Sequence, residues 1–111
     1  MPRASELAAL QARLLDLAEP TALRQRLRDL ARTDTETAQS EANRLLAAWI
    51  WRRWHDELVP YGCAPRDLRA LLARDRRDLW LWVMGDRPFP QLIEGIVGRT
   101  MRRLFTSPPL S

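Results

Sequence analysis

Residues 64–90, APRDLRALLARDRRDLWLWVMGDRPFP, contain two short helical segments. A glycine that can end the second helix follows them, and then a proline that can begin another helix. Pro65 can open the first segment, about 65–74, because proline is tolerated in the first turn of a helix. The second segment, 76–84, ends at Gly85, since glycine adopts the left-handed conformation that closes a helix. Leucine and tryptophan recur three or four positions apart, as on the buried side of a helix. The stretch predicts two short helices that pack through a few apolar side chains.

The flanking segments also follow a helical pattern. Upstream, the capping-box form of residues 33–36 (TDTE) predicts the start of a long helix over about 35–58, which Pro60 and Gly62 end. Downstream, a final helix is expected over about 90–105. No stretch alternates strictly between apolar and polar residues, so we predict no sheet. The expected fold class is all-α, a small bundle of about five helices.

The N-terminal part carries a leucine seam. Leucines repeat at spacings of three, four and three positions, at Leu7, Leu10, Leu14 and Leu17. Pro20 then permits a new helix to begin. Residues 1–34 are expected to form a helical hairpin or a dimerisation segment, 35–105 a helical domain, and 106–111 a flexible tail. Such a seam is usually intramolecular core, and the alternative is the interface of a homodimer.

Residues 64–90 resemble the helix-turn-helix of the Cro/repressor-like (XRE) family, in the form found in phage and plasmid members. That family has two apolar anchors four positions apart on one helix, two more three apart on the recognition helix, and then a glycine stop. The corresponding positions are Leu68, Leu72, Leu79, Trp82 and Gly85. Residues 82–90 (WVMGDRPFP) are similar to the W-x-x-G-x-R-P-x-P ending common among these proteins. The resemblance covers 42–105 at the fold level and implies a helix-turn-helix-like unit at 64–90.

The resemblance implies a DNA-binding protein that regulates transcription. By position in the family, the side chains that face base edges in the major groove are Arg76, Arg77, Trp80 and Leu81. Those that would touch phosphates are Arg66 and Arg87. On this hypothesis the leucine seam forms a homodimer and the partner is double-stranded DNA.

Two features depart from the family pattern. Ala73 stands where the turn of the family usually has glycine. The run 79–84 is apolar all round its helix, a pattern typical of a helix that is buried on every side or meets an apolar partner. The alternative function is therefore a helical protein-interaction module, such as an adaptor, an inhibitor or a small subunit of a larger assembly. Its interface anchors would be Trp80 and Leu81.

The charge distribution along the chain indicates the kind of partner to expect. All 18 basic residues are arginine, against 14 acidic residues, which gives a net charge of +4. Residues 1–41 carry a net charge of −1 and residues 42–111 a net charge of +5, so an anionic partner is expected on the C-terminal part. An arginine-only basic set also fits a GC-rich genome. In either case the guanidinium group of arginine can form two hydrogen bonds with a phosphate or with the edge of a guanine base.

The sequence carries no recognisable catalytic or metal-binding motif. His55 is the only histidine and Cys63 the only cysteine, too few for a zinc site. The four glycines form no phosphate-binding loop. We therefore expect no enzyme activity, no cofactor and no metal. The sequence has neither a signal-peptide pattern nor a run of about 18 apolar residues, so the expected location is the cytoplasm, away from the membrane.

Overall fold

Residues 3–105 are described by a computed structural model, and they form six α-helices and one short 3₁₀ helix. The elements are α1 (Ala4–Leu15), α2 (Thr21–Thr33), α3 (Thr35–Leu58), the 3₁₀ helix (Val59–Tyr61), α4 (Pro65–Arg74), α5 (Arg76–Met84) and α6 (Phe89–Phe105). The predicted all-α class is confirmed, because the described residues contain no strand. Residues 16–20 are not helical, so the N-terminal segment forms two helices. The tail predicted at 106–111 lies outside the described residues.

Local sequence signals set both ends of the α4–α5 pair. Pro65 occupies the first turn of α4, and the Asp67 carboxylate accepts a hydrogen bond from the Ala64 N–H at 2.8 Å. At the other end, Gly85 has a φ of 93°, in the left-handed region, and closes α5. A residue with a Cβ is strained in that conformation. The glycine therefore ends the helix at the position that the sequence predicts.

The start of α3 differs from the prediction in one detail. The N-cap is Asp34, whose carboxylate accepts a hydrogen bond from the Thr37 N–H at 3.0 Å. The capping-box pattern points to Thr33 instead, but Thr33 is still the last residue of α2. A single residue separates the two helices, so only Asp34 has the extended backbone that an N-cap requires.

The two N-terminal helices belong to the same core as the rest of the described chain. Leu10 and Leu14 have no exposed surface and belong to the core cluster, and their helix α1 contacts α3 and α6. For these two residues the dimer-face interpretation is therefore corrected to intramolecular core. Leu7 and Leu17 are half-buried. Leu17 lies beyond the end of α1 and is therefore not part of its helical face.

Two buried indole N–H groups tie the N-terminal part to the later helices. Trp54 of α3 is 1 % exposed and donates to the Leu14 carbonyl at 3.1 Å. Trp82 of α5 is fully buried and donates to Glu19 Oε1 at 2.8 Å. A buried N–H without a partner costs about 1–3 kcal/mol. The end of α1 and the α1–α2 connection therefore supply acceptors that the core tryptophans need.

α2 also closes the C-terminal end of α5, where the last carbonyls of a helix have no partner within it. Arg24 Nε donates to the Trp82 carbonyl at 2.9 Å. Arg28 Nε donates to the Val83 carbonyl at 3.1 Å. Arg24 also lies 3.3 Å from Glu19 Oε1, the oxygen that accepts the indole N–H. We call Glu19, Arg24 and Arg28 the arginine clamp, and it fixes α5 against α2.

Replacing the clamped tryptophan should be costly. We expect Trp82→Phe to lower the free energy of unfolding by about 2–3 kcal/mol, because it opens a small cavity and removes the hydrogen bond to Glu19. Trp80→Phe, on the half-buried side of the same helix, is the matched control and should cost less than about 1 kcal/mol. Urea unfolding followed by circular dichroism measures both. Equal losses would contradict the stabilising role of the buried Trp82 indole and its hydrogen bond to Glu19.

The cap of α3 should make stability depend on pH. Hydrogen bonds from the Thr37 hydroxyl and then from its N–H hold the pKa of the Asp34 carboxyl below its ordinary value. The native state therefore releases this proton more readily than the unfolded chain does. The contribution of the cap is complete above the unfolded-state pKa of about 4 and is lost as the pH falls through the lower folded-state pKa.

Melting temperatures across acidic pH test this cap. We expect the wild-type protein to melt above Asp34→Ala at neutral pH, and the difference to close in acid as the carboxylate is protonated. Asp34→Asn is the control, because asparagine also caps helices but does not ionise. Its advantage over Asp34→Ala should not change with pH. A wild-type advantage that persists at low pH would contradict the role of the ionised carboxylate.

Candidate nucleic-acid interface

α5 has one buried side and one accessible side. The buried side chains are Leu79, Trp82 and Val83. Of the remaining side chains, Asp78 pairs with Arg87, and helical spacing places the other five together on the accessible side. These five are Arg76, Arg77, Trp80, Leu81 and Met84. We call these five residues the α5 face. Its two arginines and its methionine are exposed, whereas its tryptophan and leucine are half-buried.

The residues predicted as the helix-turn-helix core lie on the buried side of α4 and α5. The exposed fractions are 0 % for Leu68, Leu72 and Trp82 and 2 % for Leu79. Gly85 follows them at the end of α5. These side chains join the single core cluster that also contains residues of α1, α2, α3 and α6. The pair is therefore held from several directions rather than only by contact between its two helices.

The connection between α4 and α5 is a single residue, Asp75. Ala73, which takes the place of the family's turn glycine, lies within α4, and no non-glycine residue between 3 and 105 has a positive φ. The Asp75 side chain is 5 % exposed, and Arg99 Nε of α6 donates to its Oδ1 at 2.8 Å. An ion pair with α6 thus holds this connection. It is shorter than the three- to four-residue turn that is usual for a helix-turn-helix.

The acidic side chains of residues 65–84 form ion pairs, whereas the basic side chains of this segment form none with the described residues. All three carboxylates form ion pairs with arginines from later in the chain, which are Asp67–Arg103 at 3.8 Å, Asp75–Arg99 at 2.8 Å and Asp78–Arg87 at 3.4 Å. All five arginines of this segment are exposed and form no ion pair with any described residue, namely Arg66, Arg69, Arg74, Arg76 and Arg77. We call these five arginines the basic surface. It presents positive charge that nothing in the described chain compensates.

The six residues that the resemblance implies as DNA-facing do not form one site. Four of them line a single cavity, and they are Arg76, Arg77, Trp80 and Leu81. Arg66 belongs to the basic surface but borders a separate depression beside Cys63 and Arg103. Arg87 is half-buried and pairs with Asp78. The charge of Arg87 is paired with the Asp78 carboxylate, so Arg87 does not extend the basic surface.

The cavity lies between α3 and α5 and has a volume of about 450 Å³. Its lining residues are Gln39, Asn43, Arg76, Arg77, Leu79, Trp80 and Leu81. Asn43 Oδ1 is buried and accepts no hydrogen bond from any residue in the described part of the chain. A second depression continues along α3, shares Gln39, Asn43 and Arg76, and adds Glu36 and Ser40. The cavity thus combines an apolar wall, two carboxamides and two guanidinium groups.

Sequence analysis missed the contribution of α3 to this site. Gln39 and Asn43 are four positions apart, directly beside the buried alanines Ala38 and Ala42. That spacing places both carboxamides along one edge of the apolar stripe. This pair of carboxamides beside the apolar stripe was the only sign in the sequence of a polar site on α3. Periodicity within α3 does not show that α5 packs next to that edge.

The two residues with the most reactive side chains stand apart from this interface. His55 is exposed in the last turn of α3, with Nε2 3.1 Å from Asp56 Oδ1. Cys63 is 7 % exposed, and burial together with nearby Asp67 raises the pKa of its thiol. A raised pKa disfavours the nucleophilic thiolate at neutral pH.

Residues 3–105 contain neither a metal-binding cluster nor a membrane-spanning helix. No group of three or more His, Cys, Asp or Glu side chains there is arranged to hold a metal ion. None of the helices in the same part of the chain is both long and apolar enough to cross a membrane.

Comparison of the chain with known protein families, with curated proteins and with solved structures finds no match. The resemblance to the XRE family therefore rests on the motif residues of 64–90 alone, and the function has to be argued from geometry and charge.

Proposed function

We propose that the protein binds DNA through the basic surface of α4 and α5. The observation that carries this proposal is the unequal ion pairing of residues 65–84. Every carboxylate of this segment pairs with an arginine from later in the chain, whereas none of its arginines pairs with a described residue. Exposed arginines on adjoining helices attract a polyanion, because each phosphate contact releases condensed counterions. The guanidinium group also matches phosphate geometry bidentately.

The accessible end of α5 supports double-stranded DNA as the partner. The arginine clamp covers the C-terminal end of the helix, whereas Arg76 and Arg77 are exposed at its N-terminal end. In helix-turn-helix proteins the N-terminal residues of the recognition helix contact base edges in the major groove. Behind the arginines, Leu81 offers an apolar contact of the kind that meets a thymine methyl group. The proposed role, regulation of transcription, follows from the resemblance of 64–90.

Removing the two arginines of α5 tests DNA binding. We expect the double variant Arg76→Ala/Arg77→Ala to bind a mixed-sequence duplex about tenfold more weakly, and the slope of log affinity against log salt to become shallower by about 2. Fluorescence anisotropy at several salt concentrations measures both quantities. Arg26→Ala/Arg52→Ala is the matched control, since it removes the same charge from exposed positions on α2 and α3. Equal losses in the two double variants would show only a non-specific charge effect.

The apolar part of the α5 face favours the second candidate, a protein-interaction module. Met84 is 44 % exposed and lies on the same side as the half-buried Trp80 and Leu81. Tryptophan, methionine and arginine are the side chains enriched at protein interfaces. A helix face with all three fits the edge of a partner protein as well as a groove of DNA.

Met84→Lys separates the two candidates. If the α5 face lies on DNA, the added cation should tighten duplex binding and steepen the salt slope by about 1. If the face belongs to an apolar protein contact, the new charge has no phosphate to meet and duplex affinity stays unchanged. Salt-dependent anisotropy titrations of wild type and Met84→Lys therefore decide whether the methionine faces nucleic acid.

A further inference from the structure

We propose that the cavity between α3 and α5 binds an unstacked nucleobase that carries an exocyclic amino group, with the attached phosphate on Arg76 and Arg77. This inference rests on the proposed DNA binding and deepens it. It predicts that, in addition to the duplex contacts of the basic surface, the protein binds a base from single-stranded or locally opened DNA. A base within a duplex has both faces covered by its neighbours and cannot enter such a cavity without being turned out of the stack.

The lining of the cavity divides into three kinds of chemistry. Trp80, Leu79 and Leu81 give an apolar wall that includes a flat indole, and bases stack on aromatic side chains regardless of their sequence. The carboxamides of Gln39 and Asn43 can donate and accept along the edge of a base. Amides of this kind pair bidentately with adenine. The two guanidinium groups at the start of α5 complete the set with positive charge for a phosphate.

Asn43 supplies an independent indication of a missing partner. Its Oδ1 is buried without a hydrogen bond from any described residue, a situation that is uncommon for polar atoms in proteins. The terminal torsion of asparagine is broad and roughly two-fold, so the carboxamide can turn its oxygen toward the cavity. An acceptor placed there needs a donor from outside the protein. The amino groups of adenine and cytosine are donors of that kind.

Charge and size favour a nucleotide over a neutral aromatic ligand. The volume of about 450 Å³ falls in the range of roughly 300–1,000 Å³ that is usual for small-ligand pockets. Arg76 and Arg77 are exposed and have no carboxylate partner among the described residues. Glu36 borders only the second depression, so its negative charge favours placing the phosphate at the Arg77 end. A flat ring, a donor edge and an anion occur together in a nucleotide.

The indole N–H signals of the five tryptophans offer a direct readout. The probe is 2′-deoxyadenosine 5′-monophosphate, titrated into the full-length ¹⁵N-labelled protein to about 10 mM, where a site with a Kd near 1 mM is close to saturation. We expect the Trp80 indole signal, assigned from Trp80→Leu, to shift in a saturable manner. The buried Trp54 and Trp82 signals serve as internal references. Thymidine 5′-monophosphate, which lacks the amino group, should bind more weakly, and 2-deoxyribose 5-phosphate should leave the Trp80 signal in place.

Oligonucleotides connect the cavity to DNA binding. We expect a single-stranded oligodeoxyadenylate to bind more tightly than a duplex of equal length. Trp80→Leu and Asn43→Leu should each weaken single-strand binding about tenfold, the size expected for losing one stacked or hydrogen-bonded base. Asn43→Leu should leave duplex affinity within about twofold, because Asn43 belongs neither to the basic surface nor to the α5 face. Gln11→Leu, an exposed carboxamide on α1 that does not line the cavity, is the matched control, and thermal melts check that each variant is folded.

The outcomes separate this inference from the proposed function. Salt-dependent duplex binding without a Trp80 shift, or with an equal shift from the sugar phosphate, would overturn the nucleobase site and leave DNA binding in place. Equal binding of an acidic aromatic peptide would also overturn it, since the cavity would then not discriminate a base. Absence of all binding to duplex and single strand at low salt would overturn the proposed function itself. A saturable shift that needs both the base and Asn43 supports the site.

Discussion

The buried indole N–H of Trp82 is the constraint on which the arrangement of α5 depends. Its acceptor, Glu19, lies in the connection between α1 and α2, so that connection has to reach the core. Once Glu19 is in place, Arg24 meets both the carboxylate and the carbonyl of Trp82. The N-terminal helices are therefore part of the structure that holds α5. A fragment that begins at α3 would lack the acceptor for the Trp82 indole and the two guanidinium groups that donate to the Trp82 and Val83 carbonyls.

The arginines of this chain perform three different tasks that composition cannot distinguish. Arg24 and Arg28 donate to backbone carbonyls of α5. A second set in and before α6 neutralises the carboxylates of residues 65–84. The remaining arginines of that segment are exposed and form no ion pair with any described residue, as is also true of Arg26 and Arg52. The difference arises because α6 supplies cations to the acidic side chains and thereby frees the local arginines. Net charge does not separate these groups, whereas the pattern of ion pairing distinguishes arginines used within the fold from those that are exposed.

Sequence analysis located the helices well, because their ends carry local signals such as Pro65 and Gly85. It could not assign the surroundings of each helix. The run 79–84 is apolar all round, and only tertiary packing shows that Trp82 is enclosed while Met84 is exposed. The leucine seam was ambiguous for the same reason, since periodicity marks a face but not its partner. The cavity could not be predicted because it lies between α3 and α5. Residue spacing within one helix does not encode a contact between two helices.

Side-chain contacts hold α5 at both ends. The arginine clamp holds its C-terminal carbonyls, and the ion pair between Asp75 and Arg99 holds the single residue before its first turn. A left-handed turn of the usual helix-turn-helix kind is not needed, because the buried carboxylate is fixed by α6 instead. Side chains on such an element lose less conformational freedom on binding than those on a mobile loop. In the proposed DNA complex, Arg76 and Arg77 therefore start from a backbone that is already ordered, and no free energy is needed to order the helix.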